Sequence, residues 1–265
     1  MLAWYFQHSI LCDIIIRTLN FFAKWVLLMD QQIKSKQRVA DHGEVFTAER
    51  EVNAMLDLVK QETERIESRF LEPACGDGNF LAEILRRKLA VVRRVYYPRR
   101  GSCYDYELQA MKAVMSIYGV DLLQDNVEAC RERLFKIFDA EYTDICKRQC
   151  SDAYREVIKY VLSKNILCGN ALSLRRVDAQ GNDTEDFIVF PEWTFPRNDS
   201  KVKRRDFELG KLMDEKKVPQ KPINEDQYSL ALDDEWEYDE ETHAFIPKPI
   251  KEYPIIHYRR IAEYE

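Results

Sequence analysis

Glycine and proline are scarce, eight and nine among 265 residues, which excludes a collagen-like or linker-dominated chain. An excess of positive charge is missing too. The 40 Lys and Arg face 46 Asp and Glu, for a formal charge of −6, so the field of the whole chain does not draw it toward a polyanion. Any nucleic-acid contact must then be local or made by a partner. The seven cysteines, Cys12, Cys75, Cys103, Cys130, Cys146, Cys150 and Cys168, contain no pair of Cys-x-x-Cys spacings that would build a zinc site. This odd, scattered set reads as reduced thiols of a cytoplasmic protein, and no metal site is expected. Cys146 and Cys150, four apart on a predicted helix, could share a face as half a site, against the plainer reading of ordinary thiols.

An uninterrupted apolar run is also lacking. Trp4 to Met29 is strongly apolar, but Asp13, Arg17 and Lys24 break it, whereas a membrane-spanning helix needs about 20 apolar residues with few charges. A basic leader region and a small-residue cleavage site are absent as well. Three readings stand: an extension from an upstream start codon, an amphipathic packing helix, or a membrane segment. The polar Met29-Asp30-Gln31-Gln32 favours the first, with Met29 as the native beginning. Residues 1–28 are therefore expected outside the domain, and no membrane contact is expected.

What is present is globular. Hydrophobic residues make up 46% of the chain and charged residues 32%, and the length suits one α/β domain with accessory segments. A helix is expected from Thr47, which can cap, with Glu49 and Glu51 at its positive end and Val52, Met55, Leu56 and Val59 at helical spacing. Arg69-Phe70-Leu71-Glu72-Pro73 reads as a short strand entering the turn Ala74 to Gly78, and a helix follows from Asn79. After a looser stretch from Tyr96 to Asp105, Ile117 to Asp121 reads as a second strand. Asp125 or Asn126 is expected to cap the next helix. Asn165 to Cys168 is a third strand, and Phe187 to Phe190 a candidate fourth. This alternation predicts a parallel, doubly wound sheet over residues 29–196. Beyond Pro191 the pattern dissolves, with nine acidic and no basic residues between Asn224 and Glu241. Residues 197–265 are thus read as an irregular acidic tail. It ends in an apolar, proline-spaced arm (Ile250, Tyr253, Ile255, Ile256, Tyr258) suited to docking on a partner or back on the domain.

Glycines after a first strand let a ligand approach the backbone where a Cβ would exclude it. A bare Gly-x-Gly usually marks only a turn. The string Leu71-Glu72-Pro73-Ala74-Cys75-Gly76-Asp77-Gly78-Asn79-Phe80-Leu81, however, resembles motif I of amino-methyltransferases, written Asp-Pro-Ala-Cys-Gly-Ser-Gly-x-Phe-Leu, at nearly every position. The resemblance extends over roughly residues 36 to 175 and is to N6-adenine DNA methyltransferases of restriction-modification systems. Gly43-Glu44-Val45-Phe46-Thr47 looks like motif X, which implies that Phe46 and Thr47 lie against the methionine end of the cofactor. Tyr118-Gly119-Val120-Asp121 looks like motif II, whose acid accepts hydrogen bonds from both ribose hydroxyls; a lone Asp there would more often be a solvated turn residue. Ile166-Leu167-Cys168-Gly169-Asn170-Ala171-Leu172 resembles motif III, with Asn170 at the adenine amine, although Asn also suits a plain turn.

The resemblance implies a Rossmann-like class I methyltransferase fold, S-adenosylmethionine as cofactor, and a cofactor site of Phe46, Thr47, Glu72, Pro73, Ala74, Cys75, Gly76, Gly78, Phe80, Asp121, Leu122, Asn170 and Ala171. The catalytic motif IV, Asn or Asp followed by Pro-Pro and an aromatic residue, is missing, and no Pro-Pro dipeptide occurs anywhere in the chain. Pro191 to Pro196 sits near the expected place without the geometry that two consecutive prolines impose. No catalytic residue is therefore assigned, and the sheet is expected to be incomplete. Three explanations remain open: a second polypeptide supplies motif IV and DNA recognition, the chain is a truncated or degenerate copy, or it is a silent cofactor-binding or assembly protein. An NAD-linked enzyme with a similar crevice fits the several motifs less well.

Overall fold

The computed structural model describes residues 14–15, 34–42, 44–100, 103–196, 200–213, 236–239 and 244–264. Along the first part of the chain run β1 (Ile14–Ile15), α1 (Lys36–His42), α2 (Glu49–Asp57), α3 (Lys60–Thr63), β2 (Phe70–Glu72), α4 (Asn79–Arg100), α5 (Cys103–Met115), β3 (Ile117–Asp121), α6 (Gln124–Cys146), α7 (Asp152–Asn165) and β4 (Ile166–Cys168). The second part is mostly strand: β5 (Arg175–Val177), β6 (Asp183–Phe187), β7 (Val189–Thr194), β8 (Lys201–Glu208), α8 (Leu209–Met213), β9 (Trp236–Asp239), β10 (Ala244–Pro247), β11 (Lys251–Glu252) and β12 (Ile256–His257), closed by a 3-10 helix at Tyr258–Glu263.

The fold is mixed α/β around a parallel sheet in the order β1-β2-β3-β4. Strands β2 and β4 are buried throughout, as expected of parallel strands covered on both faces. One cover is α4 and α6, which pack on β2, β3 and β4. A Cβ on Gly119 would lie 2.9 Å from Leu81 of α4, so that residue faces the helices. Its neighbour Tyr118 points the other way, and there the ring of Phe190 from β7 meets it edge-on at 5.3 Å while its hydroxyl donates to Pro191 O at 2.9 Å. Among the described residues the second cover is thus the antiparallel β7–β8 pair.

Several sequence expectations are corrected here. Helix α4 runs unbroken to Arg100, through the stretch read as loose. Neither Thr47 nor Asp125 nor Asn126 caps a helix: the residue before α2 is Ala48 and before α6 is Leu123, with no side-chain cap bond at either. The candidate fourth strand is split between β6 and β7, and both are antiparallel to their partners. The chain does not dissolve after Pro191. β8 pairs with β7 from Val189↔Glu208 to Thr194↔Lys203 and with β11 and β12 on its other side, so the division at residue 196 falls inside a β-hairpin.

The terminal arm packs on its own domain. Tyr258 and Ile261 are fully buried and Tyr264 nearly so, within the main core. Tyr258 donates to Glu107 Oε2 at 2.9 Å, and Arg259 pairs with the same buried carboxylate, which also accepts from Tyr142 at 2.6 Å. Most of the acidic stretch from Asn224 lies outside the described residues, as do residues 1–28 apart from Ile14 and Ile15. That pair lies on the outer edge of β2, in register with Phe70 and Leu71, which sets two residues of the segment expected to lie outside the domain against its central strand.

Cysteine usage differs from expectation as well. Cys103 and Cys146 form a disulfide between the start of α5 and the end of α6. Cys146 is therefore no half-site with Cys150, whose thiol instead approaches the Tyr142 carbonyl. Cys75, Cys130, Cys150 and Cys168 are free. No described helix is long and apolar enough to cross a membrane.

Candidate functional site

The sequence-predicted residues converge at the C-terminal ends of β2, β3 and β4, where a parallel sheet opens its crevice. β2 ends at Glu72, and the turn to α4 is pinned to β3 by Cys75 N–H donating to Val120 O at 2.9 Å. Gly76 and Gly78 both have positive φ, +55° and +90°, a backbone conformation costly to any residue with a Cβ. Space is denied as well: a Cβ would come within 2.9 Å of the Phe46 ring at Gly76 and 2.7 Å of Cys130 Sγ at Gly78. Phe46 thus lies directly on the glycine turn. Thr47 is fixed beside it by its carbonyl, which accepts from Asn79 Nδ2 at 3.1 Å. Arg133 of α6 donates to Asp77 Oδ1 and Asn79 Oδ1, holding the turn from the far side.

Asp121 closes β3. Its Oδ2 accepts from Gly76 N–H at 2.9 Å, and its Oδ1 from Leu123 N–H at 2.9 Å and Asn126 Nδ2 at 3.1 Å. Burial raises the carboxyl above its ordinary range, against these bonds. Gly169 N–H donates to Asp121 O at 2.9 Å, which sets the end of β4 alongside. Asn170 follows. Its side-chain oxygen accepts from Leu172 N–H and its amide donates to Asp183 Oδ1, both at 3.0 Å, so it shapes the turn while keeping one acceptor position. Leu122 contributes its carbonyl to the Cys168 thiol, and Ala171 is half-buried against the core.

Glu72 is the most unusual group of the site. It is 4% exposed, and its Oε2 has no hydrogen-bond partner among the described residues. Burial pushes its carboxyl up to about 8, with Ala74 N–H the opposing donor. A buried acceptor with no donor costs free energy unless something outside the chain satisfies it. Pro73 and Ala74 form the rim of the turn, the first half-buried and the second exposed. Cys75 and Phe80 do not line the crevice openly: both are buried in the core cluster, where the neighbouring Cys130 thiol and then burial raise the Cys75 thiol well above its ordinary range.

Sequence reading passed over a polar cluster at the mouth. Glu44, whose side chain is 7% exposed, accepts from Arg38 Nε at 2.5 Å and Nη2 at 2.8 Å and from Asn126 Nδ2 at 2.6 Å. Arg38 also reaches Asp125. The cluster joins α1 to the start of α6 across more than 80 residues, a pairing no local pattern announces. Pro191 to Pro196 lies elsewhere. Glu192 pairs with Arg69, just before β2, and Trp193 Nε1 donates to Asn165, just before β4. This segment therefore sits toward the ends of the strands opposite the glycine turn.

Neither a family model nor a solved structure matches the chain. Among curated proteins it is 27% identical over 144 residues to a provisionally described type II restriction enzyme and methyltransferase of Methanocaldococcus jannaschii. The match covers 54% of this chain and 11% of that protein's length. A mixed α/β chain with a glycine turn at the C-terminal end of its parallel sheet is thus similar in sequence to a restriction-modification methyltransferase.

Proposed function

We propose that this chain is the cofactor-binding part of an N6-adenine DNA methyltransferase of a restriction-modification system, with a class I, Rossmann-like fold whose second half-sheet comes from elsewhere. The observation that carries the reading is the buried, donor-less Glu72 Oε2 at the end of β2, beside a glycine turn and within one strand of Asp121. S-adenosylmethionine fits that donor set. Glu72 would receive the ammonium of its methionine part, Asp121 the ribose hydroxyls and Asn170 the adenine amine, with Phe46 and Thr47 beside the methionine end. When bound, the cofactor supplies an activated methyl group.

Among the described residues there is a seat for a donor and nothing that grips an acceptor. Transfer requires both to be held at near-attack distance, and an adenine must be flipped out of the duplex to reach the site. The segment nearest in sequence to a motif IV is buried at the opposite end of the strands. We therefore assign the Asn/Asp-Pro-Pro-aromatic element and most of the DNA contact to a second polypeptide, which must be basic where it neutralises phosphates. The same placement also favours a rival, a silent cofactor-binding or assembly protein; methylation by the reconstituted pair would eliminate it. Calorimetry tests the cofactor step. S-adenosylhomocysteine should bind the full chain, and Asp121→Ala should weaken it roughly 10- to 100-fold. An unchanged affinity in a folded variant would show that the ribose lies elsewhere.

A further inference from the structure

Counting acceptor positions at the crevice mouth leads beyond a single ribose acid. A carboxylate offers about four lone-pair sites, two on each oxygen. On Asp121, Oδ1 already takes Leu123 N–H and Asn126 Nδ2, and Oδ2 takes Gly76 N–H. One position, on Oδ2, is left. A vicinal diol brings two donors, so Asp121 as positioned here is one acceptor short. Glu44 has a matching position. Its Oε1 takes Arg38 Nη2 and Asn126 Nδ2, while its Oε2 takes only Arg38 Nε. The two carboxylates are adjacent, because the one amide nitrogen of Asn126 lies 2.6 Å from Glu44 Oε1 and 3.1 Å from Asp121 Oδ1. Asn126 is 1% exposed and its oxygen is held by Lys34 at 2.5 Å, so its amide group is fixed in the bridging orientation. An independent feature marks this end of the sheet as open to donors from outside, namely the buried Glu72 Oε2 that no group among the described residues satisfies.

We propose that Glu44 is a second ribose-binding residue, taking one hydroxyl of the nucleoside while Asp121 takes the other, with Asn126 as the positioning residue that holds the two acids together. The inference rests on the cofactor reading above. Arg38 compensates Glu44 and also bonds Asp125, while Lys34 bonds Asp125 and Asn126 beside it. The strap from Glu44 to Ala48, which carries Phe46 over the glycine turn, is thereby tied to ribose recognition.

The test is a cycle of affinities on the full chain, using S-adenosylhomocysteine and its 2′-deoxy and 3′-deoxy analogues with the parent and Glu44→Ala. In the parent, each analogue should bind roughly tenfold more weakly than the full nucleoside. In Glu44→Ala, the parent nucleoside should lose a similar factor. One deoxy analogue should then show no further loss, while the other keeps its penalty through Asp121. If both penalties survive intact in the variant, Glu44 is a structural member of the strap and the proposal is overturned. If Glu44→Ala does not fold, the same cycle on Glu44→Met, which keeps the length of the side chain and removes both acceptor oxygens, decides in the same way. Failure of the parent to bind S-adenosylhomocysteine at all is a different result: it removes the cofactor reading itself, and this inference with it.

Discussion

Replacing Glu72 by Gln should make the protein more stable at alkaline pH while impairing its ligand site. Burial lifts this carboxyl from an ordinary 4.5 to about 8. Below the lower value it is protonated in both folded and unfolded chains, and no difference arises. Between the two, the unfolded chain has released a proton that the folded chain keeps, so stability falls as pH rises, by up to about 1.4 kcal/mol per pH unit. Above about 8 the penalty is constant, and its full size is roughly 5 kcal/mol, taken as an upper limit. That is comparable with the whole stability of many domains. Gln does not titrate, so the variant should match the parent near pH 4, exceed it increasingly as pH rises to about 8, and hold a constant lead above that. Urea unfolding of both proteins across that range measures the difference directly. The upward shift of Asp121 is common to both and cancels. A difference that does not change with pH would refute the burial argument. The same variant should bind S-adenosylhomocysteine more weakly, and binding to the parent near pH 7 should release protons, seen as a buffer-dependent heat, because an incoming ammonium favours the ionised carboxylate.

Three further outcomes are expected. Gly78→Ala should cost about 1–2 kcal/mol for its left-handed backbone plus a steric part from Cys130 Sγ at 2.7 Å; adding Cys130→Ala should recover only the steric part in urea unfolding. Reducing the Cys103–Cys146 disulfide, which spans 43 residues, should lower stability by about 4 kcal/mol, and Cys103→Ala should be insensitive to reductant by the same measurement. Deleting residues 1–28 removes the Ile14–Ile15 ladder from β2, and with two described residues paired it should leave a folded protein with unchanged affinity for S-adenosylhomocysteine; loss of soluble protein would show that this edge strand is integral.

The elements that carry the site were legible because their signals are local. The strand ending at Glu72, the glycine turn, and the strands closed by Asp121 and Cys168 all lie where hydrophobic runs and turn residues place them. The β7–β8 pair was not legible, since β8 buries Arg204, Arg205 and Asp206, and such a segment reads as solvated. Burial of these charges is possible only because Arg205 pairs with Glu192 across the hairpin and Arg204 with Asp206 along the strand, and the first of these partners becomes visible only once the strands are paired. The docking of the terminal arm was left open for the same reason: its anchor, Glu107, is 151 residues from Tyr258. Asn126 was read as a helix cap, a role its residue type suits, yet its amide is engaged by Glu44, 82 residues away. Local chemistry thus named the crevice, and long-range pairing decided what surrounds it.

Transfer of labelled methyl groups from S-adenosylmethionine to duplex DNA should be measured with this chain alone, with a polypeptide supplying an Asn/Asp-Pro-Pro-aromatic segment and a DNA-reading domain alone, and with the two together. The natural candidate for that polypeptide is the product of the adjacent reading frame. The chain alone should bind the cofactor without methylating DNA, the second polypeptide alone should be inactive, and the mixture should label adenine N6 with a strong dependence on salt. Methylation by the isolated chain would contradict the assignment of the acceptor side to a partner, and a mixture that binds cofactor yet transfers nothing would contradict the methyltransferase reading.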